Sequence, residues 1–250
     1  MQTSDALLRA LGAPARIELS ADVWTASAIL AGLRVTANDP IRASDRNRGA
    51  AKNWLADIWG VVGELVALRR LHELTDAAVA HCPIAFGRAV DDVDLRVDCE
   101  DGPLLLETKT HFVQAGKSWF MVNARAHERS LRRGAVGYIP VLTALGGRRA
   151  LVGSLLRTSQ LNDWGVPDKR LRDPAIGVPL TELCRDQLGR SLESAGRLIE
   201  SGTLAGDDEL SESAALAGRQ MEHWRAKLPP LGSLPAREVV DAVLRVQRSM

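Results

Sequence analysis

The sequence predicts an α/β protein: a mixed β-sheet flanked by helices, with helical extensions at both ends of the chain. Three observations predict it. Apolar residues recur at helical spacing through a long segment ending at Leu74, strict apolar/polar alternation follows in two short runs on either side of Asp101-Gly102, and beyond Pro167 the spacing turns helical again. The division expected is a helical N-terminal extension over residues 1–43, an α/β core over 44–166, and a helical region over 167–250 suited to interaction, dimerisation or DNA contact.

The first forty residues read as helical. Ser4 or Asp5 is placed to cap a short helix running through Leu11, which Gly12 and Pro14 end, and Asp22 to Leu33 reads as a second helix. A long helix is expected over about Ser44 to Leu74, because Leu55, Ile58, Trp59, Val62, Leu65 and Val66 recur at helical spacing. Glu64 is the odd member. Val61 and Leu68 lie one turn from it, and a carboxylate inside an apolar stripe costs free energy unless something pairs with it.

Residues 92–99, Asp-Val-Asp-Leu-Arg-Val-Asp-Cys, put Val93, Leu95, Val97 and Cys99 on one face and acids or arginine on the other, as a half-buried strand does. Asp101-Gly102 suits a tight hairpin turn, and Leu104 to Thr110 reads as the returning strand. A polar link over Gln114–Ser118 leads to a short apolar piece, Trp119 to Val122. Asn123 is a fitting N-cap for a helix ending near Gly134. Tyr138 to Leu145 and Ala150 to Leu156 read as two more strands joined across Gly146-Gly147. The final region holds three helical stretches, Leu180–Glu200, Ser211–Leu228 and Ala236–Gln247, punctuated by Pro229-Pro230 and Gly232.

Composition narrows the function classes. Hydrophobic residues make up 46% and charged residues 25% of 250, an ordinary globular balance. No apolar run approaches the roughly 20 residues a membrane helix needs, and Asp5, Glu18 and Asp22 interrupt any signal-peptide core, so a cytoplasmic location and no membrane partner are expected. Cys82, Cys99 and Cys184 are odd in number and widely spaced, unlike a disulfide framework or a zinc site. The five histidines form no HxH or HExxH pattern, Gly146-Gly147 lacks a phosphate-loop context, and Gly153-Ser154 lacks GxSxG. Net charge is only +1, but Arg125, Arg129, Arg132 and Arg133 cluster, as do Arg42, Arg46, Arg48 and Lys52, and a neutral total leaves room for a local phosphate-facing patch.

Chemistry concentrates at the hairpin. Glu107 and Lys109 are two apart on a strand and share a face, while Thr108 points away. With Asp101-Gly102 as a two-residue loop, Asp94 falls opposite Lys109 and Arg96 opposite Glu107. Asp94, Glu107 and Lys109 then converge; a slip of two residues keeps them together, and a slip of one separates them. Two carboxylates this close repel unless a cation lies between them, and a hard divalent ion suits an all-oxygen site. A neighbouring lysine can position water and offset phosphate charge, so the set suits phosphodiester hydrolysis. The competing reading makes Glu107 and Lys109 an exposed strand face with an ordinary ion pair, and Glu64 a solvent-facing acid at the edge of its helix.

The run Asp94-Leu95-Arg96-Val97 followed by Leu104-Leu105-Leu106-Glu107-Thr108-Lys109 resembles the D…ExK motif of the PD-(D/E)XK nuclease superfamily, which includes many restriction endonucleases and Holliday-junction resolvases. Gly63-Glu64 is similar to the extra helical glutamate many members carry, and the order helix, strand, strand, helix, strand resembles their α-β-β-β-α-β core over roughly Lys52 to Leu156. The resemblance implies a restriction-endonuclease-like fold and divalent-metal-dependent cleavage of nucleic acid, double-stranded DNA before RNA, in prokaryotic defence or restriction. It implies Mg²⁺, with Mn²⁺ as a substitute, held by Asp94, Glu107 and the Thr108 carbonyl, with Lys109 orienting water and Glu64 orienting Lys109 or joining a second metal. No proline precedes Asp94, so Asp91 and Asp92 stay open as the first ligand. Asn123, Arg125, Arg129 and Arg132 are the candidate nucleic-acid contacts, and a homodimer or partner subunit would engage the C-terminal helices. The rival readings are a non-catalytic protein that keeps the nuclease fold to bind nucleic acid or a partner, and a repair or junction-resolving nuclease.

Overall fold

The computed structural model describes residues 2–19, 50–81, 93–112, 119–143, 148–161 and 174–183, together with Val23, Ser27, Leu30, Ala31 and Arg34. Helix α1 spans Ser4–Leu11 and buries Leu7, Leu8 and Leu11. Its N-cap is Thr3, whose side chain accepts from the Ala6 N–H, and not Ser4 or Asp5. Ser4 instead gives its N–H and hydroxyl to the Asp101 carboxylate, both at 2.8 Å, tying the helix start to a hairpin almost a hundred residues away. Val23, Ser27, Leu30, Ala31 and Arg34 are all helical, in line with the second helix expected; the rest of that segment lies outside the described residues.

Helix α2 spans Ala50–Leu74, and the expected start at residues 44–49 lies outside the described residues. Its middle is buried on every side from Asp57 to Ala67 except Trp59 and Gly60. That is more than an amphipathic stripe, because this helix is covered by the sheet on one side and by α1 and the helical residues near Leu30 on the other. At Gly63 the helix lies close against β4. A Cβ there would overlap Thr110 Oγ1. Gly63→Ala is therefore expected to cost about 1–3 kcal/mol, the range for overpacking a close contact. Thr110→Ala should restore part of the loss when the two are combined, which denaturant midpoints of the three variants will read.

Among the described residues the main sheet has seven strands. Along one path the order is β1 (Ala15–Glu18), β7 (Arg149–Val152), β6 (Gly137–Thr143), β4 (Gly102–Phe112), β3 (Leu95–Cys99) and β2 (Val79–His81), with β8 (Leu156–Arg157) also pairing β6. The β4–β6 pair is parallel and the others are antiparallel, so the sheet is mixed, as expected. A second sheet pairs β5 (Trp119–Asn123) with β9 (Ala175–Pro179) antiparallel. Helix α3 (Ala124–Arg132) links β5 to β6. Its N-cap is Asn123, accepting from the Ala126 N–H at 3.0 Å, and Gly134 at φ +81° follows its end. Two hydrophobic cores result. One lies between the sheet and the α1/α2 layer; the other joins the opposite face, through Tyr138, Leu142 and Leu151, to Phe120, Val122, Ile176 and Val178 of the small sheet. No helix among the described residues is long and apolar enough to cross a membrane.

Four sequence expectations are corrected. Residues 15–18 form an edge strand in a stretch read as helical; only Ile17 of the four is buried, too little to show a period. Val79–His81 is a further edge strand the pattern did not reveal. Beyond Pro167 the spacing read as helical throughout, yet Ala175–Pro179 is a strand, and only Leu180–Leu183 after it is helical within the described residues. The last is the expected single strand Ala150–Leu156, which is broken. β7 pairs Val152 with Val141, but β8 pairs Leu156 with Tyr138, so three residues, Gly153 to Leu155, oppose two. Pro140 sits at this bulge and lacks the N–H a continuous ladder would need. The amides of Ser154 and Leu155 turn to Leu183 and Leu11 carbonyls instead.

The hairpin register is also corrected. Cys99 pairs with Gly102 and Leu95 with Leu106, so the loop is Glu100-Asp101 and not Asp101-Gly102. Gly102 follows the loop at φ +119°, a conformation that favours glycine. Continued one residue, this register sets Asp94 opposite Glu107, and not opposite Lys109. The slip is two residues, so the face of every side chain is preserved. The helices expected beyond Leu183, the Gly146-Gly147 turn and the candidate ligands Asp91 and Asp92 lie outside the described residues.

Candidate active site

β4 is the central strand of the site. Alternation sends Leu104, Leu106, Thr108 and Thr110 toward α2, and Leu105, Glu107, Lys109 and His111 toward α3 and β5. Asp94 belongs to neither face. It lies just before the start of β3, where its Oδ2 accepts from the Thr108 N–H at 2.8 Å and from Thr108 Oγ1 at 3.0 Å. The side chain thereby takes the place on the edge of β4 that a longer β3 would occupy. A strand residue sends its N–H and C=O toward the same neighbour, so the Thr108 carbonyl also lies on the Asp94 side.

Burial separates the competing readings of these acids. Glu107 is 9% exposed and Glu64 4%, so neither is a solvated surface charge. Glu107 is held from the α3 side: Ser130 Oγ lies 3.0 Å from Oε1, and Arg133 Nη1 is 3.5 Å from the same oxygen. Burial, and then the Asp94 charge, push the Glu107 carboxyl up to about 7, against the pull of Ser130 and Arg133; its carboxyl is also within hydrogen-bonding reach of Asp94. Asp94 is raised as well, by burial first and then by the Glu64 charge, with the two Thr108 hydrogen bonds and Lys109 opposing. Asp94 and Glu107 thus act on one another, and the half-buried Lys109 acts on Asp94.

Glu64 reaches the site from the α2 side. Arg34 grips it with two hydrogen bonds, Nη1 to Oε1 at 2.9 Å and Nη2 to Oε2 at 2.7 Å, and His81 Nε2 lies 3.0 Å from Oε2. Burial alone would raise this carboxyl, but Arg34 and His81 outweigh it and hold it below the usual range. Among the described residues Glu64 pairs with these two and makes no ion pair with Lys109. Sequence reasoning missed Arg34 and His81. The requirement that a buried Glu64 have a partner was legible, but no spacing links residues 34, 64 and 81.

The arginines of α3 divide. Arg125, Arg129 and Arg132 are exposed on one face, as their spacing predicted, whereas Arg133 turns inward to Glu107. Asn123 spends its side-chain oxygen on the helix cap. Cys99 is a buried free thiol.

The raised Glu107 carboxyl sets a pH dependence. An acid whose folded value lies above its unfolded value contributes stability that is complete below the unfolded value, 4.5, and is lost as pH rises through about 7. Without metal, the protein is expected to lose on the order of 2–3 kcal/mol from this group between pH 4.5 and 8. Urea unfolding of wild type and Glu107→Gln across that window checks it: the variant should show a flatter profile, and parallel profiles would count against the reading.

The donor set fits a hard cation. Two carboxyls this close, one buried and one half-buried, need a shared proton or a cation between them, and with the Thr108 carbonyl the available atoms are all oxygen, which suits Mg²⁺ or Mn²⁺ over zinc or copper. Among the described residues no group of three or more His, Cys, Asp or Glu side chains is arranged to hold a metal ion, so Asp94 and Glu107 would act as a pair. Compared with known protein families, curated proteins and solved structures, the chain matches none.

Proposed function

We propose that the protein is a divalent-metal-dependent nuclease that hydrolyses phosphodiester bonds, with DNA as substrate. The observation that carries the reading is the interacting carboxyl pair, Asp94 just before β3 and the buried Glu107 on β4, with Lys109 on the same strand as Glu107. Strongly shifted acids beside a cation are uncommon as mere structure and frequent at reaction centres. Within the main sheet the order α2, β2–β3–β4 as an antiparallel meander, α3, then β6 parallel to β4 supports a restriction-endonuclease-like core, since it resembles the α-β-β-β-α-β order of the PD-(D/E)XK nucleases once β5, which lies between β4 and α3 and pairs β9 in the second sheet, is set aside.

In this reading Asp94 and Glu107, with the Thr108 carbonyl, hold the cation. When bound, Mg²⁺ or Mn²⁺ would polarise the phosphoryl group and ease deprotonation of water. Lys109 orients the attacking water and offsets charge building on the phosphate. Thr108 fixes the Asp94 carboxylate with two hydrogen bonds, and Ser130 and Arg133 hold one oxygen of Glu107. Glu64, paired with Arg34, adds negative charge beside Asp94 from the helix side without serving as a metal ligand. Arg125, Arg129 and Arg132 offer an exposed basic face for phosphates beside it.

The test is cleavage. Purified protein is incubated with supercoiled plasmid, linear duplex and single-stranded DNA in Mg²⁺, in Mn²⁺ and in EDTA. Cleavage is expected with either metal and none with EDTA. Cleavage that persists in EDTA sinks the mechanism, and no cleavage of any substrate favours the rival reading of a non-catalytic nucleic-acid or partner binder.

A further inference from the structure

The inner face of α3 is polar. His127, Ser130 and Arg133 recur three apart, so they stack along one side of the helix, and that side faces β6 and β4. His127 is 3% exposed, Ser130 4% and Tyr138, facing them from β6, 2%. An apolar stripe would pack this interface at less cost, since each polar group buried here must find a partner.

The partners form a line. His127 Nδ1 lies 3.1 Å from the Tyr138 hydroxyl, the Ser130 side chain comes within interaction range of that hydroxyl, and Ser130 Oγ lies 3.0 Å from Glu107 Oε1. An ionised carboxylate only accepts, so Ser130 donates to Glu107. Behind it the Tyr138 hydroxyl and His127 Nδ1 share one hydrogen bond. The Ser130 hydroxyl has one other acceptor in reach, the Ala126 carbonyl at 3.1 Å, to which it can turn when Glu107 carries a proton.

We infer that His127, Tyr138 and Ser130 are positioning residues for Glu107: together they hold Oε1 from inside the protein and turn Oε2 toward the cation. The inference rests on the nuclease reading of this site. Arg133 approaches the same Oε1, so the two holds act on one oxygen and leave the other for the metal. A hydrogen-bonding group behind a ligating residue fixes that ligand's orientation, and losing it typically lowers metal affinity 10–100-fold.

The experiment measures Mn²⁺ binding to the full chain without DNA, by electron paramagnetic resonance of free Mn²⁺, for wild type, Tyr138→Phe, Ser130→Ala and the double variant. Each single change is expected to weaken Mn²⁺ binding about tenfold, and the double change hardly more, because residues in one line are not additive. His127→Asn, which can keep a donor near the same place, should lie closer to wild type than His127→Leu. In cleavage assays kcat should fall with KM for DNA little changed. Ser130→Ala removes one oxygen from a helix and introduces the best helix former, so it decides the matter if Tyr138→Phe does not fold. If wild type binds Mn²⁺ and Ser130→Ala binds it equally well, the positioning role is overturned while the nuclease reading stands. If wild type binds no Mn²⁺, both are overturned.

Discussion

Lys109→Ala is expected to lower Mg²⁺-dependent plasmid cleavage by about 10²–10⁴-fold, the range for losing a positioned proton-transfer or charge-stabilising group. The fold should survive. Lys109 is half-buried on the β4 face turned toward α3 and β5, and its charge acts on Asp94, which already accepts two hydrogen bonds from Thr108. Removing the ammonium also removes one of the influences that keep Asp94 ionised, so metal affinity should weaken in the same variant. Lys109→Arg keeps the charge but not the compact donor, and is expected to recover metal binding more than cleavage. The measurement is initial rate against Mg²⁺ concentration for the three proteins, with circular dichroism as the check on folding. Undiminished cleavage by Lys109→Ala would remove lysine from the mechanism.

Glu64→Ala is expected to bring the largest stability loss of any single change at the site, about 3–5 kcal/mol, because it leaves the Arg34 guanidinium buried with its partner gone. For a chain of this size the thermal midpoint should fall by roughly 10 °C. Replacing Glu64 and Arg34 together by leucine should cost far less, since a buried ion pair is often no better than apolar side chains of similar volume. Urea unfolding of the two variants separates these cases; a Glu64→Ala loss below about 1 kcal/mol would mean the pair behaves as a surface ion pair. The pH dependence runs opposite to that of Glu107. The Glu64 carboxyl is held below its ordinary value, so its contribution is complete above 4.5 and is lost as pH falls through the folded value. Acid should therefore weaken the wild type and leave the double-leucine variant less affected.

The two acids show how much of the site was legible in the sequence. Glu107 and Lys109 share a face because strand alternation is local, and Asp94 comes close to Glu107 because a tight hairpin brings β3 and β4 together, its carboxylate resting on Thr108 at the edge of β4. Those inferences survived a turn placed one residue late, because the resulting two-residue slip in pairing leaves every side chain on its own face. Glu64 stood out as an acid in an apolar helix, which required a partner but did not say which one. Arg34 and His81 come from a helical residue thirty positions earlier and from an edge strand three residues long, and neither carries a pattern that points to Glu64. Ser130 and Tyr138 were invisible for the same reason: nothing about a serine in an arginine-rich helix says that it faces a carboxylate.

The sequence by itself determined the long helix ending at Leu74, the alternation of the hairpin, the Asn123 cap and the shared face of Glu107 and Lys109, because each depends on residues within a few positions of one another. Only the tertiary structure decided the parallel pairing of β4 with β6, the edge strands β1 and β2, the second sheet of β5 and β9, the bulge at Pro140 and the partners of both buried acids. These contacts join segments tens of residues apart. Their free energy comes from burial and hydrogen bonding formed on packing, and local spacing carries no record of it.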